Sequence, residues 1–126
     1  MGAATHAKRV VIVDDSDDFR MILRLLLDRD DRLDLAGEAS DGQAAVDLCA
    51  EVHPDVVVLD LAMPIMDGRD ALPLIRERCP DADVWVYSAV ADRYVEADLL
   101  LDGAAGVLTK GDHLPDIFDI LAGHPA

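Results

Sequence analysis

Five times along this chain a short apolar run gives way to a segment carrying the 3.6-residue apolar repeat of a helix. The runs Val10-Val11-Ile12-Val13, Val56-Val57-Val58-Leu59 and Val84-Trp85-Val86-Tyr87 do not alternate apolar with polar residues, which is the pattern of strands covered on both faces. Such strands build parallel sheets, whose neighbours must be joined by crossovers of about a dozen residues or more. The helical segments are those crossovers. Strict alternation of strand and helix predicts a doubly wound α/β sheet with right-handed connections.

The strands expected are Arg9 to Val13, Leu33 to Ala39, Val56 to Leu59, Val84 to Tyr87 and Gly106 to Thr109. The helices expected are Asp17 to Asp30, Gly42 to Val52, Arg69 to Arg78, Asp92 to Asp102 and Leu114 to Ala122. Ser16 is placed to cap the first helix, ahead of the apolar set Phe19, Ile22, Leu23, Leu26 and Leu27. Pro73 fits the third helix within a first turn and would otherwise kink it. No linker or low-complexity block interrupts the alternation, so residues 8–122 are read as one domain between a disordered segment, 1–7, and a tail, 123–126.

The chemistry gathers where the runs end. The first run ends on Asp14-Asp15, the third on Asp60, the fourth on Ser88 and the fifth on Lys110. In doubly wound sheets ligands bind beyond the strand C-termini, at the switch in strand order, so these five side chains are predicted to share one site. Three carboxylates drawn together repel one another unless something positive lies between them. Mg²⁺ suits them, because it uses one or two carboxylates, keeps several waters and shares phosphate oxygens. Asp60 ends the most apolar strand, which makes it the expected nucleophile, with an acyl phosphate as the product of attack on phosphorus. Ser88 can donate to a phosphoryl oxygen and Lys110 can offset its charge. Ala89 is small enough to leave the site open. Taken singly, the Asp pair can also be read as a helix cap, Ser88 as a turn residue and Lys110 as a surface lysine.

Composition narrows the rest. Of 126 residues, 26 are acidic and 11 basic, a formal charge of −15 that repels nucleic-acid backbones and argues against direct nucleic-acid binding. A hydrophobic content of 52% predicts a folded core. No apolar stretch approaches the ~18 residues of a membrane span and the N-terminus has no signal-peptide core, so the expected location is cytoplasmic. Cys49 and Cys79 form no zinc or redox motif and read as small buried hydrophobes. His6, His53, His113 and His124 fall at no metal-ligand spacing and are assigned no role.

Taken together, Val13-Asp14-Asp15-Ser16, Leu59-Asp60-Leu61-Ala62-Met63-Pro64-Ile65-Met66-Asp67-Gly68, Tyr87-Ser88-Ala89 and Gly103-Ala104-Ala105-Gly106-Val107-Leu108-Thr109-Lys110 resemble the receiver domains of two-component response regulators. The resemblance covers about residues 8 to 122 and implies a flavodoxin-like (βα)5 fold, CheY-like, with strand order 2-1-3-4-5. It implies that Asp60 is the phosphoacceptor, charged by a sensor histidine kinase. By the same resemblance Asp15, Asp60 and the Ala62 main-chain carbonyl bind Mg²⁺ directly, Asp14 acts through metal-bound water, and Ser88 and Lys110 meet the phosphoryl group. The segments Gly37 to Gly42 and Lys110 to Asp112 are similar to the branch that usually carries a C-terminal helix-turn-helix domain.

Two positions depart from the pattern. The family usually has Tyr or Phe three residues before its lysine, where this chain has Val107, and many members have Pro after the lysine, where this chain has Gly111. The first departure implies a different switch. The fourth helix suggests where output occurs: Leu99, Leu100 and Leu101 are consecutive and span roughly 200° of a helix, so they cannot all face the sheet. Tyr94, Leu99, Leu101 and Val107 are the expected output face, for a partner protein or for a homodimer through the fourth helix and fifth strand. Two other readings stay open: a degenerate receiver that binds partners constitutively, and an aspartyl-phosphate phosphohydrolase. The second commonly needs a carboxylate two residues after its nucleophile, where this chain has Ala62.

Overall fold

A computed structural model of the protein describes residues 7–89, 93–111 and 113–123. The elements alternate as β1 (Lys8–Val13), α1 (Asp17–Leu27), β2 (Leu33–Ala39), α2 (Gly42–Val52), β3 (Val56–Leu59), α3 (Gly68–Arg78), β4 (Asp83–Ser88), α4 (Arg93–Leu101), β5 (Gly106–Thr109) and α5 (Leu114–Leu121). All strand pairings are parallel, in the order β2-β1-β3-β4-β5. This is the flavodoxin-like arrangement, with the switch in strand order between β1 and β3.

Because successive strand residues point to opposite faces, each apolar run feeds two cores. Val11, Val13, Val57, Leu59, Val84 and Val86 pack with Cys49 of α2, Leu72 and Ile75 of α3, and Leu99 of α4. Val10, Ile12, Val56, Val58, Tyr87 and Leu108 pack with Leu23 and Leu27 of α1 and Ile117, Phe118 and Leu121 of α5. The unbroken apolar runs are thus accounted for by helices on both sides. Cys49 and Cys79 are buried and unbridged. Burial, with the neighbouring Cys79, pushes the Cys49 thiol up to about 12, as befits a packing residue and not a reactive one.

Some expectations need correction. The first helix ends at Leu27, three residues early. The Asp30 amide turns back onto the Leu27 carbonyl at 3.0 Å, and its carboxylate accepts from the Arg32 guanidinium at 2.9 and 2.8 Å. Those bonds hold the Asp30 carboxyl below the usual range despite some burial and reverse the chain into β2. Ile22, expected on the buried stripe, is 45% exposed, since positions 19, 23, 26 and 27 already fill the face toward the sheet. Pro73 lies beyond the first turn of α3, where the helix forgoes one amide hydrogen bond.

The consecutive leucines of α4 divide sharply. Leu99 is fully buried, Leu100 is 46% exposed and Leu101 is 85% exposed. Leu99 therefore has no place on an output face, because its side chain fills the core against the sheet. Val107 is only partly buried and packs against the α2–α3–α4 core. The expected side-chain role of Tyr94 lies outside the described residues, as do the expected helix start at Asp92, the histidines His6 and His124, and the terminal segments 1–6 and 124–126. Among the described residues no helix is long and apolar enough to cross a membrane.

The contrast within α4 is measurable. Leu99→Ala should lower unfolding free energy by roughly 2–5 kcal/mol, the range for emptying a leucine site in a core, whereas Leu101→Ala should stay within about 0.5 kcal/mol of the parent. Urea titration followed by circular dichroism compares them.

Candidate functional site

Strand register brings the reactive groups together. β1 and β3 pair with Val13 opposite Leu59, and the Asp60 amide donates to the Val13 carbonyl at 2.9 Å. Asp14 and Asp60 therefore leave the sheet side by side at its centre. On the other flank Ser88 stands opposite Thr109, and the Lys110 amide donates to the Ser88 carbonyl at 2.9 Å. Asp14, Asp60 and Ser88 are buried, at 2%, 6% and 8% exposure, while Asp15 is exposed.

Asp14, Asp15 and Asp60 each offer a carboxylate oxygen within 4.8 Å of the others. Lys110 reaches across from the end of β5 to place Nζ 2.7 Å from Asp14 Oδ2 and 3.5 Å from Asp60 Oδ1. Burial, reinforced by the Asp14 charge, raises the Asp60 carboxyl above its ordinary value, although Lys110 and the Ala62 amide pull the other way. Burial acts to lower the Lys110 ammonium, but its bonds and charge pairing with Asp14 and Asp60 outweigh it and leave the group raised. Lys110 is thus charged and pairs with Asp14 and Asp60.

The loops that carry these residues are held by local bonds. Ser16 caps α1, its hydroxyl accepting from the Phe19 amide at 3.2 Å, and its own amide donates to Asp14 Oδ1 at 2.8 Å. Asp67 caps α3 by accepting from the Asp70 amide at 2.9 Å. Gly68 donates its amide to the Leu61 carbonyl at 2.9 Å, and a Cβ at Gly68 would stand 2.0 Å from the Asp60 carbonyl oxygen. Only glycine allows the chain to pass this close to the acidic strand end. Ala62, exposed at the mouth, offers no carboxylate, and the Ala89 methyl beside Ser88 is exposed.

All five predicted side chains lie at one sheet edge. The expected output residue Leu101 lies apart, at the last residue of α4 and so at the end of that helix away from the strand tips. Sequence reasoning passed over Arg20, whose guanidinium donates to the Asp14 carbonyl, pairs with Asp17 and lies 3.4 Å from Glu38. It also counted Phe19 only as core, whereas its ring sits beside Lys110. Both are placed by α1, and a first-turn residue with a long or flat side chain just after an acidic loop was the available signal.

The pKa direction of Asp60 has a consequence for stability without divalent metal. A carboxyl raised in the folded state costs folding free energy once ionised, so the penalty is absent below the ordinary carboxylate range and complete above the raised folded value. Asp60→Asn should therefore melt higher than the parent in chelator at neutral pH. The difference should shrink as pH falls through the Asp60 value and vanish below the ordinary carboxylate range, which calorimetry at stepped pH measures.

The sequence matches the response regulator receiver domain family over residues 10–122. The chain is 33% identical to the chemotaxis protein CheY of Halobacterium salinarum over 116 residues, 92% of this chain and 95% of that protein. It is 38% identical to a protein-glutamate methylesterase/protein-glutamine glutaminase of Pseudoalteromonas atlantica, covering 82% of this chain but only 28% of the longer enzyme. Among solved structures it superimposes, with a TM-score of 0.80 and 29% identity, on a chain of the CheX-CheY-BeF3-Mg²⁺ complex of Borrelia burgdorferi, over 89% of this chain and 84% of that one. With the strand order, the acidic strand ends and the family match in agreement, the chain belongs to the receiver domains of two-component response regulators.

Proposed function

We propose that Asp60 accepts a phosphoryl group from the phosphohistidine of a sensor kinase or from a small acyl phosphate, and that the modified receiver changes its affinity for a partner. The observation that carries this reading is the buried Asp60 carboxylate at the centre of the sheet edge, with the Lys110 ammonium 3.5 Å away and two further carboxylates beside it. An Asp60 oxygen forms the P–O bond as the P–N bond of phosphohistidine breaks, and the imidazole nitrogen departs with the electron pair. Lys110 offsets the charge that arrives, and the Ser88 hydroxyl donates to a phosphoryl oxygen. Ala62 leaves no second carboxylate to activate water for rapid hydrolysis, which favours a switch over a phosphohydrolase.

The donor set fits Mg²⁺: hard oxygen ligands, clustered, with more negative charge than Lys110 neutralises. Asp15, Asp60 and the Ala62 carbonyl would hold it, with Asp14 acting through water. When bound, the cation supplies charge neutralisation for the phosphoryl oxygens. The Borrelia relative was solved with BeF3 and Mg²⁺, which supports the same use here. A cytoplasmic location belongs to this reading. Output is assigned to the surface of α4 and β5, where Leu100 and Leu101 are exposed, for a partner protein or a second copy.

With Mg²⁺ and acetyl phosphate, intact-mass measurement should find one added phosphoryl group, and none on Asp60→Asn, since an amide is not a nucleophile here. Full labelling of that variant, or of the parent in chelator, defeats the reading. In calorimetric titration Asp14→Ala should weaken Mg²⁺ by roughly tenfold, the scale for a partner outside the direct ligand shell, and Asp15→Ala should weaken it more. Equal, parent-like affinity in both reduces the Asp pair to a helix cap.

A further inference from the structure

The Lys110 ammonium has a third neighbour besides its two carboxylates. Its Nζ lies 4.7 Å from the centroid of the Phe19 ring, and that ring lies 5.3 Å from Tyr87 with the planes tilted at 40°. Tyr87 is 2% exposed, immediately precedes Ser88, and directs its hydroxyl at the Lys110 main-chain carbonyl, 3.5 Å away. One pair of rings therefore touches both ends of Lys110, the ammonium through Phe19 and the backbone through Tyr87.

A lysine carries its charge on a flexible four-carbon stem, so holding that charge where a phosphoryl group will arrive requires contacts that restrict the stem. Asp14 and Asp60 attract the ammonium. The electron-rich Phe19 ring face attracts the cation as well, without adding a formal negative charge. A carboxylate in the place of Phe19 would hold Lys110 too, but would consume the charge that an incoming phosphoryl group needs. The ring holds the ammonium and leaves that charge available.

We propose that Phe19, braced by Tyr87, is a positioning residue for phosphoryl acceptance, its ring face holding the Lys110 ammonium against Asp60 and ready for a phosphoryl oxygen. The inference rests on Asp60 being the phosphoacceptor. It also places the aromatic contact with the site on the α1–α5 side of the sheet, where Phe19 and Tyr87 pack, opposite to the face against which Val107 packs.

The test compares acetyl phosphate labelling rates at saturating Mg²⁺ for the parent, Phe19→Leu, Phe19→Tyr and Lys110→Met, and for Phe19→Leu combined with Lys110→Met. Phe19→Leu keeps an apolar side chain and should slow labelling roughly three- to tenfold, the scale of losing a partly desolvated cation–π contact. Phe19→Tyr should restore the parent rate, Mg²⁺ affinity should be unchanged in both, and Phe19→Leu should add nothing once Lys110 is Met. In the parent, the Lys110 side-chain methylene protons should show an upfield ring-current shift by NMR that Phe19→Leu removes. Labelling of Phe19→Leu at the parent rate, an equal loss in the Lys110→Met background, or a missing ring-current shift overturns the inference while leaving the receiver reading intact. Failure of the parent itself to take phosphate overturns the reading and the inference with it.

Discussion

The Lys110 ammonium lies 2.7 Å from Asp14 and 3.5 Å from Asp60, and both carboxylates are almost withdrawn from water. Buried charges are costly unless paired and hydrogen-bonded, so this lysine offsets part of the cost of burying the two carboxylates. It does so across three strands, reaching from the end of the edge strand β5 to the tips of β1 and β3. The arrangement remains unbalanced, because Asp15 adds a third carboxylate to the cluster. A site with a surplus of closely spaced oxygens and one mobile ammonium is suited to a divalent cation and a phosphoryl group together.

Backbone register sets the frame of this edge. The pairing of Val13 with Leu59 sets the two buried aspartates side by side, and the pairing of Ser88 with Thr109 brings the Lys110 backbone onto the Ser88 carbonyl. Gly68 then lets the start of α3 pass against the Asp60 carbonyl, while Arg20 of α1 ties down the Asp14 carbonyl. A one-residue slip in any central strand would turn its apolar residues to the wrong face and remove its polar tip from the site. Stability and function therefore depend on the same pairings.

The two faces of the sheet differ in what they bring to the site. The α1–α5 face contributes rings, with Phe19 and Tyr87 in contact and Lys110 over Phe19. The α2–α3–α4 face contributes aliphatic packing, including Val107 and the buried Leu99. A change in the position of Lys110 would thus reach the aromatic pair as well as the two carboxylates. A shift at α4 must instead travel through well-packed aliphatic side chains, which move between discrete arrangements and do not deform continuously.

The chain's local chemistry was sufficient for the parallel α/β class and for which side chains meet at the strand ends, while the strand order was implied by the resemblance. Unbroken apolar runs mark strands covered on both faces, alternation with helices demands a parallel sheet, and Asp14, Asp15, Asp60, Ser88 and Lys110 stand directly after runs whose ends must meet. Helix ends and exposure were less legible. The early stop of α1 depends on the Asp30–Arg32 pairing, and the burial of Leu99 beside an exposed Leu101 depends on the rotation of α4 about its axis, which three adjacent leucines leave undetermined. The acidic cluster was visible in the spacing of its residues, but its neighbours Phe19 and Arg20 were not. Their roles arise where α1 lies over the strand tips, and such contacts between distant segments exist only once packing has chosen them. Sequence by itself determined the strands and their polar tips, because periodicity and strand polarity are local properties. Tertiary structure decided which charges pair, which leucine faces the core and which ring meets the lysine, because those depend on distances between segments far apart in the chain.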